Sequence, residues 1–193
     1  MKALFILLFF PLINIFAQDY QYFLYESKQE QFFRIHPGRS DIMHYIYMDK
    51  GDIQYNSLFE IDEKTTKLII PNDGFYEIQG TFSFSMNTGN LRGAKAGINF
   101  GFVKIIPSQE VYFAATRFSF EEKNQNEYVQ VQIYPTIVYL EKGVVIAPAL
   151  STGLLNKPIV NAHLGTNDKT SEQTAIKWSI KLISNETAQQ KYY

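Results

Sequence analysis

The chain has 193 residues, a formal net charge of −1 and no cysteine, and aromatic side chains make up 16% of it. Because Lys and Arg are scattered among Asp and Glu, no basic surface for nucleic acid or an anionic membrane is expected. The lack of cysteine excludes disulfides, thiol catalysis and sulfur-ligated metals. The fold must therefore be stabilised by burial, which 16 Phe and 13 Tyr can supply.

The first 17 residues have the pattern of an export signal. Lys2 supplies a positive start, residues 3–13 are almost entirely apolar, and Ala17 is the small residue expected before a signal-peptidase cut. The apolar run is shorter than the roughly 20 residues that cross a bilayer, and no cysteine follows it to carry a lipid. We therefore expect a mature chain from Gln18 or Asp19 without a transmembrane segment. The signal resembles bacterial ones, and the expected location is secreted, periplasmic or at the cell surface. An uncleaved, anchoring signal is the alternative.

Residues 18–57 are rich in tyrosine and phenylalanine and lack the Ser, Gly and Pro bias of a linker. We interpret them as N-terminal strands packed on the main domain rather than as a separate domain. The aromatic side chains concentrated here are Tyr20, Tyr22, Phe23, Tyr25, Tyr45, Tyr47 and Tyr55. Tyrosine is common at interfaces as well as in cores, so the pattern favours partner contact and core packing equally.

Period-two alternation between turn residues dominates the rest of the chain, and this is typical of strands with one buried face. Strands are predicted at 42–48, 66–71, 74–85, 97–106, 111–119, 128–140, 143–150 and 177–182. The side chains predicted to be buried by this alternation are Tyr76, Ile78, Phe82, Phe84, Trp178, Ile180 and Leu182. About eight or nine short strands predict an all-β sandwich or barrel.

Three stretches, in order, carry a family resemblance. Residues 68–84 read Leu-Ile-Ile-Pro-Asn-Asp-Gly-Phe-Tyr-Glu-Ile-Gln-Gly-Thr-Phe-Ser-Phe, residues 139–143 read Tyr-Leu-Glu-Lys-Gly, and 178–183 form a closing alternating strand. This set resembles the tumour necrosis factor and complement C1q superfamily. The resemblance covers residues 58–184 and implies a jelly-roll β-sandwich of two antiparallel sheets with Greek-key connections. A carbohydrate-binding jelly roll and an immunoglobulin-like domain are the alternative sandwiches.

Turns are expected at two glycines, Gly74 with a positive φ after Asp73, and Gly143 after Lys142. The polar tail at 185–193 is expected to be frayed.

Members of this superfamily typically form homotrimers, so the resemblance also implies an oligomer interface. The positions that match the family's axial residues are Tyr134, Glu77, Gln79 and Lys177. Only Tyr134 is aromatic there, which argues against a dry axis and predicts either a weak, wetter C1q-like trimer or a monomer.

Chemistry-bearing motifs are weak. His36, His44 and His163 lack metal-ligand spacing, and Ser151 does not stand in a nucleophile elbow. The carboxylate pairs at 62–63 and 121–122 each adjoin a lysine, which is typical of solvated turns, and the glycines spaced four apart at 89–101 lead into a strand rather than a phosphate-binding helix. Convergence of His44 or His163 with Asp52 or Asp168 stays open, because distant residues can meet in a fold.

We therefore predict no catalytic, metal or cofactor-binding residue and no cofactor. The expected function is that of an exported recognition or structural module that acts by surface contact and self-associates, with a protein or glycan ligand. A carbohydrate-binding sandwich, whose exposed aromatic residues stack on sugar rings, is the first alternative, and an enzyme is the second.

Overall fold

The computed structural model describes residues 21–34, 42–62, 65–87, 95–107, 109–121, 127–155, 161–166 and 173–185. The predicted export signal and residues 186–193 of the predicted tail lie outside these ranges. So do Tyr20, His36 and Asp168, which the sequence singled out.

Thirteen strands and one short 3-10 turn, Lys50–Asp52, make up the regular structure of the described residues. The strands are β1 (Tyr22–Ser27), β2 (Gln31–Phe33), β3 (Met43–Tyr45), β4 (Ile53–Asn56), β5 (Glu60–Ile61), β6 (Leu68–Ile69), β7 (Gly74–Asn87), β8 (Lys95–Ile106), β9 (Gln109–Glu121), β10 (Val129–Leu140), β11 (Val145–Leu155), β12 (Asn161–Leu164) and β13 (Ile176–Ser184). Each predicted strand overlaps one of these. The strands β1, β2 and β4 lie within residues 18–57, for which the sequence predicted strands without giving their bounds, and β5 and β12 were not predicted.

These strands form two antiparallel sheets. The larger has the order β2-β12-β7-β13-β1-β4, with β10 on the other side of β7, and the smaller has the order β5-β6-β11-β8-β9, with β3 beside β11. The core thus lies between β1-β13-β7-β10 in the larger sheet and β6-β11-β8-β9 in the smaller one. The predicted fold class, an all-β sandwich of two antiparallel sheets, is confirmed.

The core lies between the sheets and is largely aromatic. Six of the side chains predicted to be buried are at most 1% exposed: Tyr76, Ile78, Phe82, Phe84, Trp178 and Ile180. Leu182 is only partly buried and packs against the edge of this core. Alternation along β7 and β13 therefore identified the buried face correctly.

The N-terminal strand β1 lies inside the larger sheet, between β13 and β4. Tyr25 of β1 pairs with Trp178 of β13. The ring centroids of Phe23 and Trp178 are 4.8 Å apart. Phe23 and Tyr25 are almost fully buried, whereas Tyr47 and Tyr55 are about half exposed. The aromatic residues of the N-terminal region are thus divided between core and surface.

Glycine is needed at Gly143 and at Gly74 for two different reasons. Gly143 has φ 82° in the turn between β10 and β11, a conformation that side chains other than glycine rarely adopt. The positive φ expected at Gly74 is wrong, because among the described glycines only Gly143 has one. A Cβ on Gly74 would instead lie 2.6 Å from both Leu182 Cδ1 and the Ser184 carbonyl oxygen. Glycine is required there because β13 approaches closely.

Candidate functional site on the outer face of the larger sheet

The outer face of the larger sheet carries every residue predicted for an oligomer interface: Tyr134, Glu77, Gln79 and Lys177. On β7 and β13 the intervening residues, such as Ile78 and Trp178, are buried in the core. Because successive side chains in a strand point to opposite faces, the alternate residues point away from the core. Register also places these positions close together, since β13 pairs with β7 over this stretch.

Both charged residues of this set are already neutralised within the sheet. Glu77 on β7 forms an ion pair with Lys181 on β13, with 2.8 Å between Oε1 and Nζ. Lys177 on β13 forms an ion pair with Glu26 on β1. The pairs are partly exposed, so each contributes only about 0–1 kcal/mol to stability. Their consequence for binding is larger, because a partner that covers this face would not bury an unpaired charge.

Tyr134 stands on a β-bulge at the edge of the sheet. The register between β10 and β7 shifts between Ile133 and Thr136, so that Tyr134 and Pro135 together oppose Gln79. A proline has no N–H to donate to a ladder and is tolerated at a bulge on an edge strand. The bulge leaves Tyr134 69% exposed, which is unusually high for a large aromatic side chain in a strand.

A groove of about 230 Å³ opens beside this tyrosine. Its lining includes Tyr22 and Leu24 on β1, Lys177 and Ser179 on β13, Gln79 and Thr81 on β7, and Gln132 on β10. The volume is below the roughly 300–1,000 Å³ of sites that enclose a small-molecule ligand. Its size and its mixture of apolar and hydrogen-bonding groups suit a single amphipathic side chain.

Apolar side chains extend this surface along β10. Ile137 opposes Glu77 and is 60% exposed, and the rings of Phe75 and Tyr139 meet with 5.4 Å between centroids. The exposure of Ile137 was not predicted, because uninterrupted alternation through 128–140 does not reveal the bulge. Pro135 was the signal that could have revealed it, since a proline within a strand marks an edge or a bulge.

Ser151 and His44, which were considered for catalysis, both make contacts with other side chains of the fold. Ser151 Oγ accepts hydrogen bonds from the Tyr112 hydroxyl at 3.2 Å and from Asn99 Nδ2 at 3.4 Å. Burial raises the pKa of Tyr112 to about 12, so this hydroxyl stays protonated and is not a base for the serine at neutral pH. His44 lies against the ring of Phe33, with 6.1 Å between centroids.

Asp52 belongs to a surface turn. Its Oδ2 accepts a 2.5 Å hydrogen bond from the Ser27 hydroxyl, and the preceding Asp49 caps the 3-10 turn by accepting from the Gly51 N–H. Among the described residues, no three His, Cys, Asp or Glu side chains are grouped closely enough to hold a metal ion. None of the helical structure in the described ranges has the length and apolar character needed to cross a membrane.

Comparisons with known proteins identify no family. The chain matches no protein-family model, and no curated protein matches it. What the protein does must therefore be inferred from the chemistry of its surface.

Proposed function

We propose that the protein is an exported, non-catalytic recognition or structural module of the C1q and tumour necrosis factor type. It acts by surface contact and self-associates, as a homotrimer, through the outer face of the larger sheet. The resemblance in residues 58–184 implies a jelly roll. The strand order β1-β13-β7-β10 against β6-β11-β8-β9 is typical of that fold and so supports the family proposal. On the outer face Glu77 and Lys177 are held in ion pairs with Lys181 and Glu26, which suits contact rather than catalysis.

The observation that carries the proposal is an exposed tyrosine next to an open groove. Tyr134 is 69% exposed, and the groove of about 230 Å³ begins at Gln132 on the same strand. Tyr134 of one copy inserts into the groove of the next, where its ring meets Leu24 and its hydroxyl meets Gln79. A head-to-tail contact of this kind closes into a ring when its rotation permits.

The electrostatics of the face fit a weak association. Glu77 and Lys177 are already paired with Lys181 and Glu26, so association through this face does not bury an unpaired charge. The remaining polar groups still lose water when covered, which offsets much of the gain from burying Tyr134. Association in the micromolar range or weaker is therefore expected.

Sedimentation velocity on the chain from Gln18 tests this proposal directly. Tyr134→Ala should weaken association by about tenfold or more, since a central buried tyrosine is a typical hot spot. The matched control is Tyr47→Ala, which removes a tyrosine that is 55% exposed and lies on the segment after β3, away from the outer face. Circular dichroism of both variants should remain that of the native β fold. Equal association by the two variants would contradict the proposal.

A further inference from the structure

A second surface lies at the other end of β7, where three rings form a row across the larger sheet. Phe32 on β2 opposes His163 on β12, and His163 opposes Ser85 on β7. The ring centroids of Phe32 and His163 are 5.5 Å apart, and those of His163 and Tyr128 are 5.4 Å apart. Phe32 is 71% exposed, the highest value among the exposed large apolar side chains of the described residues.

Packing against the sheet holds this aromatic row in place. Ser85 is fully buried, and its Oγ has no hydrogen-bond partner in the part of the chain that the structure describes. Tyr128 lies against Gly165, where a Cβ would be 2.6 Å from the tyrosine hydroxyl oxygen. His163 is half-buried between the other two rings. The row is therefore pre-organised, which reduces the entropy lost when a ligand binds.

The polar side chains next to the row are either uncharged or form a set with one negative and one positive charge. Burial lowers the pKa of His163 below its ordinary value, against an opposing effect of Glu30, so the imidazole is neutral near pH 7 and offers one donor and one acceptor. Asn161 and Gln130 are exposed, and each is two residues from a ring of the row along its own strand. Glu30 and Arg34 are two residues to either side of Phe32 and have opposite charges.

We propose that this row binds a neutral pyranose oligosaccharide. The apolar C–H face of one sugar ring stacks on the open face of Phe32, and its hydroxyls hydrogen-bond with His163 and Asn161. An uncharged sugar ring presents both an apolar C–H face and hydroxyl groups. It therefore matches a site that combines an exposed aromatic face with amide groups. Nucleic acid would require a cationic groove, which the opposite charges of Glu30 and Arg34 do not provide. This site is separate from the groove beside Tyr134 and does not depend on self-association.

The test titrates the chain from Gln18 with cellohexaose, xylohexaose, mannohexaose and maltohexaose, each up to about 10 mM, a range that detects millimolar dissociation constants. Nuclear magnetic resonance follows the His163 imidazole and the Phe32 ring. At least one hexasaccharide should shift both signals. Phe32→Ala should weaken that binding by about tenfold, because it removes the stacked ring, whereas Phe32→Trp should retain it. Tyr55→Ala, which removes a half-exposed ring at the opposite edge of the same sheet, should change the dissociation constant less than twofold.

Three outcomes would overturn the proposal. One is the absence of shifts with all four hexasaccharides. Another is unchanged affinity in a folded Phe32→Ala variant. The third is a set of shifts confined to the groove near Gln79, which would place the sugar at the surface proposed for self-association.

Discussion

The ring of Trp178 on β13 contacts β1 in the same sheet and β8 in the opposite sheet. Its indole centroid is 4.8 Å from that of Phe23 on β1 and 5.2 Å from that of Phe102 on β8, in the opposite sheet. Its Nε1 is buried and has no hydrogen-bond partner among the described residues. The residue thus combines a large gain from apolar burial with the cost of one unsatisfied donor.

Trp178→Ala should lower the free energy of unfolding by about 3–5 kcal/mol, because it leaves a cavity between the sheets. Trp178→Phe should cost clearly less, since the smaller cavity comes with removal of the unsatisfied N–H. Urea denaturation measures both, with Leu58→Ala as the control at a half-exposed side chain, where a change within about 0.5 kcal/mol is expected. Equal losses for the two tryptophan variants would contradict this account of Nε1.

His163 provides a pH prediction with a defined sign. Burial lowers its pKa from 6.5, and the nearby Glu30 carboxylate raises it in part. The unfolded chain therefore binds more protons than the folded one around and below pH 6.5, so this residue's contribution to stability falls as the pH falls through that range. Titration of the imidazole by nuclear magnetic resonance should give a value below 6.5, and Glu30→Gln should lower it further. A rise in Glu30→Gln would contradict the assigned effect of the carboxylate.

At the scale of elements, the bulge in β10 determines which side chains reach the outer face. Before it, Val131 and Ile133 are buried, and after it the inward positions include Val138 and Leu140. The two halves of the strand are out of phase by one residue. Because of this shift in phase, Ile137 lies on the outer face together with Tyr134.

Deletion of Pro135 should convert β10 into a regular strand without changing its inward side chains, since it removes the one extra residue. The variant should keep its β circular-dichroism spectrum and unfold cooperatively. Insertion of one alanine after Ile78 in β7, which pairs on both sides, should by contrast disrupt the register of both neighbours and abolish cooperative unfolding. A loss of fold on deleting Pro135 would show that the bulge is needed for the sandwich itself.

The same contrast explains how much the sequence could predict. Period-two alternation in the sequence predicted where the long strands β7, β8, β9 and β10 lie, and it predicted the buried face of β7, but it did not predict the register shifts in β8, β9 and β10. β2, β5 and β12 have two to four residues, too few for alternation to distinguish them from loops. For the candidate site, alternation predicted that Glu77 and Gln79 share a face. The ion pair of Glu77 with Lys181 depends on the register of β13 against β7, which joins distant parts of the chain and leaves no local pattern.

The whole molecule depends on its N-terminal strand, which lies within the larger sheet rather than only packing on the main domain. β1 pairs along its length with β13 and contributes Phe23 and Tyr25 to the core. Without it, β13 would become an exposed, apolar edge. A chain that begins at Gln29 should therefore fail to fold or should aggregate, whereas the chain from Gln18 should unfold cooperatively. Native circular dichroism and cooperative unfolding of the shorter chain would show that β1 is dispensable.

Self-association through the outer face is the central claim at this scale, and sedimentation equilibrium of the unmodified chain from Gln18 tests it most directly. Over a range from micromolar to near-millimolar concentration, the weight-average mass should rise from that of a monomer toward that of a trimer. The rise should be gradual, because the face combines one exposed tyrosine with polar groups that lose water on contact. A mass that stays at the monomer value over the whole range would contradict the claim.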